Sequence, residues 1–238
     1  MRIQGLQKTT LLDYPGHVAA TIFLGGCNFR CPFCHNMNIV DGCEDAITEE
    51  ELLEFLKKRA GVLEGVCITG GEPTINEELP ELVKKIKNID STKTLLVKLD
   101  TNGTNPQMIE YLIGEGLVDY IAMDIKSSEE EYHKAIGVDN KKDSLSIISS
   151  VKESIDIIIN SDIDYEFRTT IVKQLHDKNA IKGIGQLIKG SRKHFIQSFK
   201  DSEYVEDHSF SAYDNDTLYQ FADIMGQYVK EATVRGVD

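Results

Sequence analysis

The sequence predicts an α/β fold: a partial, open barrel of six parallel strands joined by helical crossovers. Three observations lead there. Apolar, β-branched runs alternate with stretches of helical periodicity from residue 17 onward. The chain has 238 residues, short of the roughly 250 that a closed eight-fold barrel takes. No low-complexity linker divides it. It therefore reads as one domain, 1–238, with a short β extension over 1–16, the barrel over 17–200 and a helical segment over 201–238. A doubly wound open sheet is the rival architecture.

The elements follow in order. HVAATIFL (17–24) is apolar and β-branched, as a buried parallel strand requires. Thr48 and Glu51 spell a capping box, after which Leu52, Leu53, Phe55 and Leu56 form an apolar helical face. GVCIT (65–69) is the second barrel strand, and Leu79, Leu82, Val83 and Ile86 recur at helical spacing behind it. TLLVKLD (94–100) is the third, before a helix near 106–115. VDYIAMDI (118–125) is the fourth, with helical sequence to about 135 and again near 143–153. DYEFRTTIV (164–172) is the fifth, followed by a helix near 178–189. HFIQSF (194–199) is the sixth, and a last helix spans about 214–233.

Composition narrows the partners. A net charge of −13 with no long Lys/Arg block argues against nucleic acid or an anionic membrane surface. The opening MRIQGLQKTT lacks the apolar stretch of a signal peptide, and no segment reaches the roughly 18 uncharged apolar residues of a membrane helix. The expected compartment is the cytoplasm.

Five cysteines, three of them inside residues 27–34, suit metal or redox chemistry better than a disulfide framework. Cys27, Cys31 and Cys34 are spaced C-x3-C-x2-C, just past the end of the first barrel strand. Thiolates select iron–sulfur clusters, zinc or cuprous copper. A cubane cluster held by three cysteines leaves one iron open to a substrate or cofactor. A structural zinc knuckle would need a fourth ligand, for which His35 and Cys43 are the neighbours on offer. Cys67 lies in the apolar run VCIT and reads as a core residue.

In both candidate architectures ligands sit at the carboxyl ends of the strands. The second strand ends in ITGGEPT (68–74), where glycines permit close backbone approach and Glu72 offers a carboxylate to an ammonium. The third ends in LDTNGT (99–104), with Asp100, Thr101 and Asn102, although Asn-Gly is also a plain turn signal. The fourth ends in MDIK (123–126), where alternation puts Asp124 and Lys126 on one side of the strand. Arg168 in the fifth strand demands a carboxylate partner, from a ligand or from the barrel itself. Gln197 in the sixth is the last pocket candidate.

The cysteine spacing, with aromatic Phe33 before the last cysteine, resembles the radical SAM enzymes, and the following His35-Asn36 is similar to the glycyl-radical-enzyme activases. LLDYPGHVAATIFLGGCNFRCPFCHN (11–36) closely resembles the opening of anaerobic ribonucleoside-triphosphate reductase activating proteins. The resemblance implies a radical SAM type of barrel and a 4Fe–4S cluster on Cys27, Cys31 and Cys34, whose open iron takes S-adenosylmethionine (SAM). Reductive cleavage would give methionine and a 5′-deoxyadenosyl radical. It further implies that Gly70, Gly71 and Glu72 receive the methionine amino group, with Pro73 shaping the turn, and that Phe33 belongs to the cofactor site. Asp100, Thr101, Asn102, Asp124 and Lys126 would surround the methionine carboxylate and ribose, with a monovalent cation near Asp100 as in some members. His133 and Gly137 resemble an H-x-x-x-G segment that shapes a loop. The implied partners are a glycyl radical enzyme, here an anaerobic ribonucleotide reductase, and an electron donor such as flavodoxin or ferredoxin. Two other readings stay open: a radical SAM enzyme acting on a small molecule or peptide, such as a 7-carboxy-7-deazaguanine synthase, and a non-catalytic metal module.

Overall fold

A computed structural model describes residues 1–42, 46–90 and 93–237. The chain forms two compact units. The first comprises Met1–Asn28, Asn36–Thr101 and Gln107–Ile121; the second comprises Phe29–His35, Asn102–Pro106 and Ala122–Asp238.

In the first unit, β1 (Ile3–Thr10) pairs antiparallel with β2 (Ala19–Leu24), and β2, β3 (Gly65–Gly70) and β4 (Leu96–Thr101) run parallel. The register aligns Thr21 with Cys67 and Cys67 with Lys98, so these three share a row on one face. The helices α1 (Met37–Val40), α2 (Glu49–Arg59), α3 (Leu79–Lys87) and, from Gln107 onward, α4 (Pro106–Gly114) belong here. The capping box at α2 is formed, with the Thr48 hydroxyl accepting from the Glu51 N–H and Glu51 accepting from the Thr48 N–H. The α3 stripe of Leu79, Leu82, Val83 and Ile86 is buried, as its spacing requires. Strand β5 (Tyr120–Asp124) begins beside β4, where the Asp119 N–H donates to the Val97 carbonyl at 2.8 Å.

In the second unit the residue after β5, Ile125, donates its N–H to the Arg168 carbonyl of β6 (Asp164–Ile171). Strand β6 runs parallel to β7 (Lys193–Ser198), and β7 runs parallel to β8 (Glu231–Arg235). Helices α5 (Tyr132–Ala135), α6 (Leu145–Asn160), α7 (Lys178–Leu187) and α8 (Asn215–Met225) alternate with them. Asp177 and Asp214 cap α7 and α8 through their carboxylates.

All six barrel strands expected from sequence are present. The carboxyl end departs from expectation: α8 stops at Met225 and a strand follows, where a helix to about 233 was expected. Val229 is buried four residues after Met225 and so prolongs the apolar spacing of the helix, although the chain has already turned. In β8, Thr233 pairs in register with Phe195 and Arg235 with Gln197.

His194, at the start of β7, is 1 % exposed, and burial alone pushes its pKa down to about 3. The Thr169 hydroxyl lies 3.0 Å from its Nε2. The folded-state pKa is depressed below the ordinary value near 6.5. The neutral ring's contribution is therefore complete above pH 6.5 and is lost as pH falls toward 3. Between those limits stability should drop by about 1.4 kcal/mol per pH unit from this group. His194→Phe should remove that share of the slope in urea melts taken from pH 7 to pH 4. An unchanged slope would contradict the assignment.

Candidate active site

The first unit carries Cys27 and the ends of β2, β3 and β4. Cys27 follows the Gly25-Gly26 pair and is partly exposed. The Gly71 N–H donates to the Leu24 carbonyl and the Glu72 N–H to the Gly26 carbonyl, each at 2.9 Å. The Asn36 side-chain amide donates to the Gly70 carbonyl at 3.3 Å. The GGEP segment is thus fastened to the backbone that leads into Cys27. Space explains Gly71: a Cβ there would lie 1.9 Å from the Gly26 carbonyl oxygen and 3.3 Å from Cys27 Cβ. Neither obstacle is a flexible side-chain tip. Gly71→Ala should therefore cost at least about 3 kcal/mol, the upper end for overpacking, and should impair iron uptake on reconstitution. A urea midpoint equal to wild type would refute the close approach.

Glu72 is 1 % exposed. Its Oε1 accepts from the Thr74 N–H (3.1 Å), the Thr74 hydroxyl (2.6 Å) and the Thr101 hydroxyl (2.7 Å). Two of the sequence candidates, Glu72 and Thr101, thus meet directly. Glu72 also caps the short 3₁₀ turn Pro73–Ile75, whose first residue is the buried Pro73. Asp100 Oδ1 accepts from the Lys98 ammonium, and the Cys67 thiol lies 3.7 Å from the same oxygen. Lys98 was not among the sequence candidates. It stands two residues before Asp100 on the same strand face, a signal the alternation of TLLVKLD already carried.

The second unit carries Cys31 and Cys34, both partly exposed and joined in a turn in which the Cys34 N–H donates to the Cys31 carbonyl. Phe33 between them is buried in a cluster with Ala135, Val172, Phe199 and Val205, and its ring packs on His176 and Phe210. Its place in the structure is core packing beneath the cysteine turn. The Arg30 N–H donates to the Ile136 carbonyl. Gly137 has φ +74°, and a Cβ there would sit 2.0 Å from the Arg30 carbonyl oxygen. The H-x-x-x-G segment therefore braces the cysteine loop through its backbone, beyond merely ending α5.

Asp124 joins Lys126 and Arg168. The Arg168 Nε donates to one carboxylate oxygen at 2.9 Å and the Lys126 ammonium to the other at 3.0 Å. Burial opposes the charge of Asp124, but Arg168 and Lys126 outweigh it and hold the carboxyl well below its usual range. Burial likewise opposes the charge of Lys126, yet Asp124, Cys31 and Cys34 raise its pKa. Lys126 thus puts a fixed cation in the unit that carries these two cysteines. His176 fastens the strand end, its Nε2–H donating to the Lys126 carbonyl and its Nδ1 accepting from the Val172 N–H. That assigns a neutral tautomer, consistent with burial lowering its pKa.

Gln197, paired in register with Thr170 and Arg235, lines a cavity of about 410 Å³ together with His35, Lys200 and Tyr204. Arg235 was not anticipated; it forks onto Glu166 at 2.7 and 3.0 Å and stacks on the Phe195 ring. Asn102 accepts from the Thr104 N–H and hydroxyl, the side-chain turn its Asn-Gly sequence suggests. Cys43, weighed as a fourth sulfur, lies outside the described residues. Among the described residues no group of three or more His, Cys, Asp or Glu side chains is placed to hold a metal ion. Among them, too, no helix is long and apolar enough to cross a membrane.

The chain resembles known proteins over nearly its whole length. A protein of Methanocaldococcus jannaschii, provisionally named a glycyl-radical enzyme activating enzyme, is 30 % identical over 99 % of this chain and 96 % of its own. The pyruvate formate-lyase-activating enzyme of Clostridium pasteurianum is 28 % identical over 80 % of this chain and 77 % of its own. The crystal structure of a radical SAM methyltransferase from Sphaerobacter thermophilus superposes with a TM-score of 0.68 at 15 % identity, covering 93 % of this chain and 67 % of that one. That likeness establishes the partial TIM-like α/β barrel expected from sequence. The family model for the radical SAM superfamily matches residues 21–173, and this chain belongs to that superfamily.

Proposed function

We propose that the chain is a glycyl-radical-enzyme activase working with a 4Fe–4S cluster and SAM, the two groups its family implies. The observation that carries this reading is the end-to-end similarity to the M. jannaschii protein, at 99 % and 96 % coverage. The donor chemistry suits such a cluster: the sequence offers three soft thiols at the family spacing. Cys27, Cys31 and Cys34 are the proposed ligands. When bound, the cluster and SAM supply a radical able to take a Cα hydrogen from a glycine of a partner enzyme.

The chain's own residues position and shield. Gly70, Gly71 and Pro73 set the course of the backbone beside Cys27, and the Thr74 N–H, the Thr74 hydroxyl and the Thr101 hydroxyl donate to Glu72. Its carboxylate is the proposed receptor for the methionine ammonium. Thr101, Asp100 and Asn102 lie at or just past the end of β4, and Asp124, Lys126 and Arg168 form the charged wall proposed to face the carboxylate and ribose. Gln197, which lines the cavity with His35 and Lys200, is the last proposed contact of the cofactor pocket. Phe33 serves the site by packing the loop from behind. The proposed partner is an anaerobic ribonucleoside-triphosphate reductase, on the likeness of residues 11–36, with flavodoxin or ferredoxin as electron donor in the cytoplasm.

The test is to incubate the reconstituted, reduced chain and SAM with a protein bearing a carboxyl-terminal glycyl-radical loop. A doublet radical signal in that protein, lost when the loop glycine is replaced by alanine, is the expected result. SAM cleavage without any protein radical would instead favour a small-molecule substrate.

A further inference from the structure

Lys98 lies in the middle of β4 and is 2 % exposed. Its ammonium donates to Asp100 Oδ1 and lies 3.6 Å from Cys67 Sγ. The Cys67 thiol approaches the same carboxylate oxygen. A buried ammonium is costly without a counter-charge, and Asp100 supplies one. Sodium and potassium are hard cations that bind through oxygen, and a carboxylate is the strongest such ligand a side chain can provide. Here an Asp100 oxygen already carries a compact point charge of the same sign and magnitude. The expectation of a monovalent ion beside Asp100 therefore does not fit the residues present.

We infer that Lys98 is a built-in monovalent cation: its tethered ammonium holds the Asp100 carboxylate where other arrangements would use a bound sodium or potassium ion. The consequence for catalysis rests on the activase reading; the consequence for the fold does not. A covalently attached cation cannot dissociate, so neither the stability of the chain nor its SAM chemistry depends on which monovalent salt is present.

Thermal unfolding of the apo chain in NaCl, KCl and choline chloride at equal ionic strength tests the structural half. Wild type should melt at the same temperature in all three. Lys98→Ala, which leaves both a charge and a space beside Asp100, should melt lower in choline and recover in NaCl or KCl. Wild type stabilised by Na⁺ or K⁺ over choline would overturn the inference, and so would a folded Lys98→Ala indifferent to the salt. If Lys98→Ala folds in no salt, sodium-23 relaxation of wild type decides. K⁺-competable broadening that Asp100→Asn abolishes overturns the inference; no broadening, or broadening that Asp100→Asn leaves unchanged, supports it. SAM cleavage by the reconstituted wild type separates the two readings. Equal cleavage in choline and KCl supports both, and cleavage only with Na⁺ or K⁺ overturns the built-in cation alone. Cleavage in no salt overturns the activase reading and leaves the apo melts to judge Lys98.

Discussion

Cys31→Ala is expected to lower the iron content of the anaerobically reconstituted chain by at least about tenfold, because two thiolates cannot hold a cubane cluster. The fold should survive. Cys31 is only partly buried and sits at the margin of the Phe33 cluster, so truncation leaves little cavity. Far-ultraviolet circular dichroism should match wild type while the iron–sulfur absorbance disappears. Loss of both together would point to misfolding. Full iron with the substitution in place would remove Cys31 from the ligand set. Comparison with Cys67→Ala sharpens the result, since Cys67 is fully buried and outside the motif. That variant should lose stability and keep its iron.

Asp124→Asn should be strongly destabilising. It leaves the Arg168 guanidinium and the Lys126 ammonium facing each other without their shared counter-ion. Breaking such a pair costs about 3 kcal/mol at the lower end of the buried range, which suits side chains that keep some exposure. A loss of that size lowers the melting temperature of a chain this long by roughly 6–12 °C. Acid provides an independent check. The folded-state pKa of Asp124 is depressed, so its contribution is complete above the ordinary carboxylate value of about 3.9. As pH falls below that value the contribution is progressively lost. The stability gap between wild type and Asp124→Asn should hence be constant from pH 7 to pH 5 and should narrow below pH 4. A gap that stays constant to pH 2, or no gap at neutral pH, would contradict the cluster.

The framework was legible because its signals are local. Each barrel strand is a short run rich in apolar residues, and the α2 capping box and the α3 stripe are formed as their spacing demands. The carboxyl end misled for the same reason: Val229 keeps the helical spacing set by Leu218, Phe221, Ala222 and Met225 across a turn. Period alone does not register that the chain has changed direction. Partnerships across strands were harder to see. Arg168 announced its need for a carboxylate, and that partner is Asp124. Lys98 and Asp100 show the same x-by-one spacing as Asp124 and Lys126, yet the lysine inside TLLVKLD passes for an ordinary strand residue until its burial is known. Glu166 and Arg235 lie far apart in sequence, and only β8 brings them together. Phe33 illustrates a different ambiguity. An aromatic beside a cysteine motif can serve the ligand or the core, and here its neighbours are apolar side chains and His176.

The measurement closest to the central claim is SAM cleavage. The chain is to be reconstituted with iron and sulfide under anaerobic conditions, reduced with dithionite and incubated with SAM. Formation of 5′-deoxyadenosine and methionine in equal amounts, absent from Cys31→Ala, is the predicted result. A reduced chain that carries its full iron and sulfide and leaves SAM intact would contradict the account.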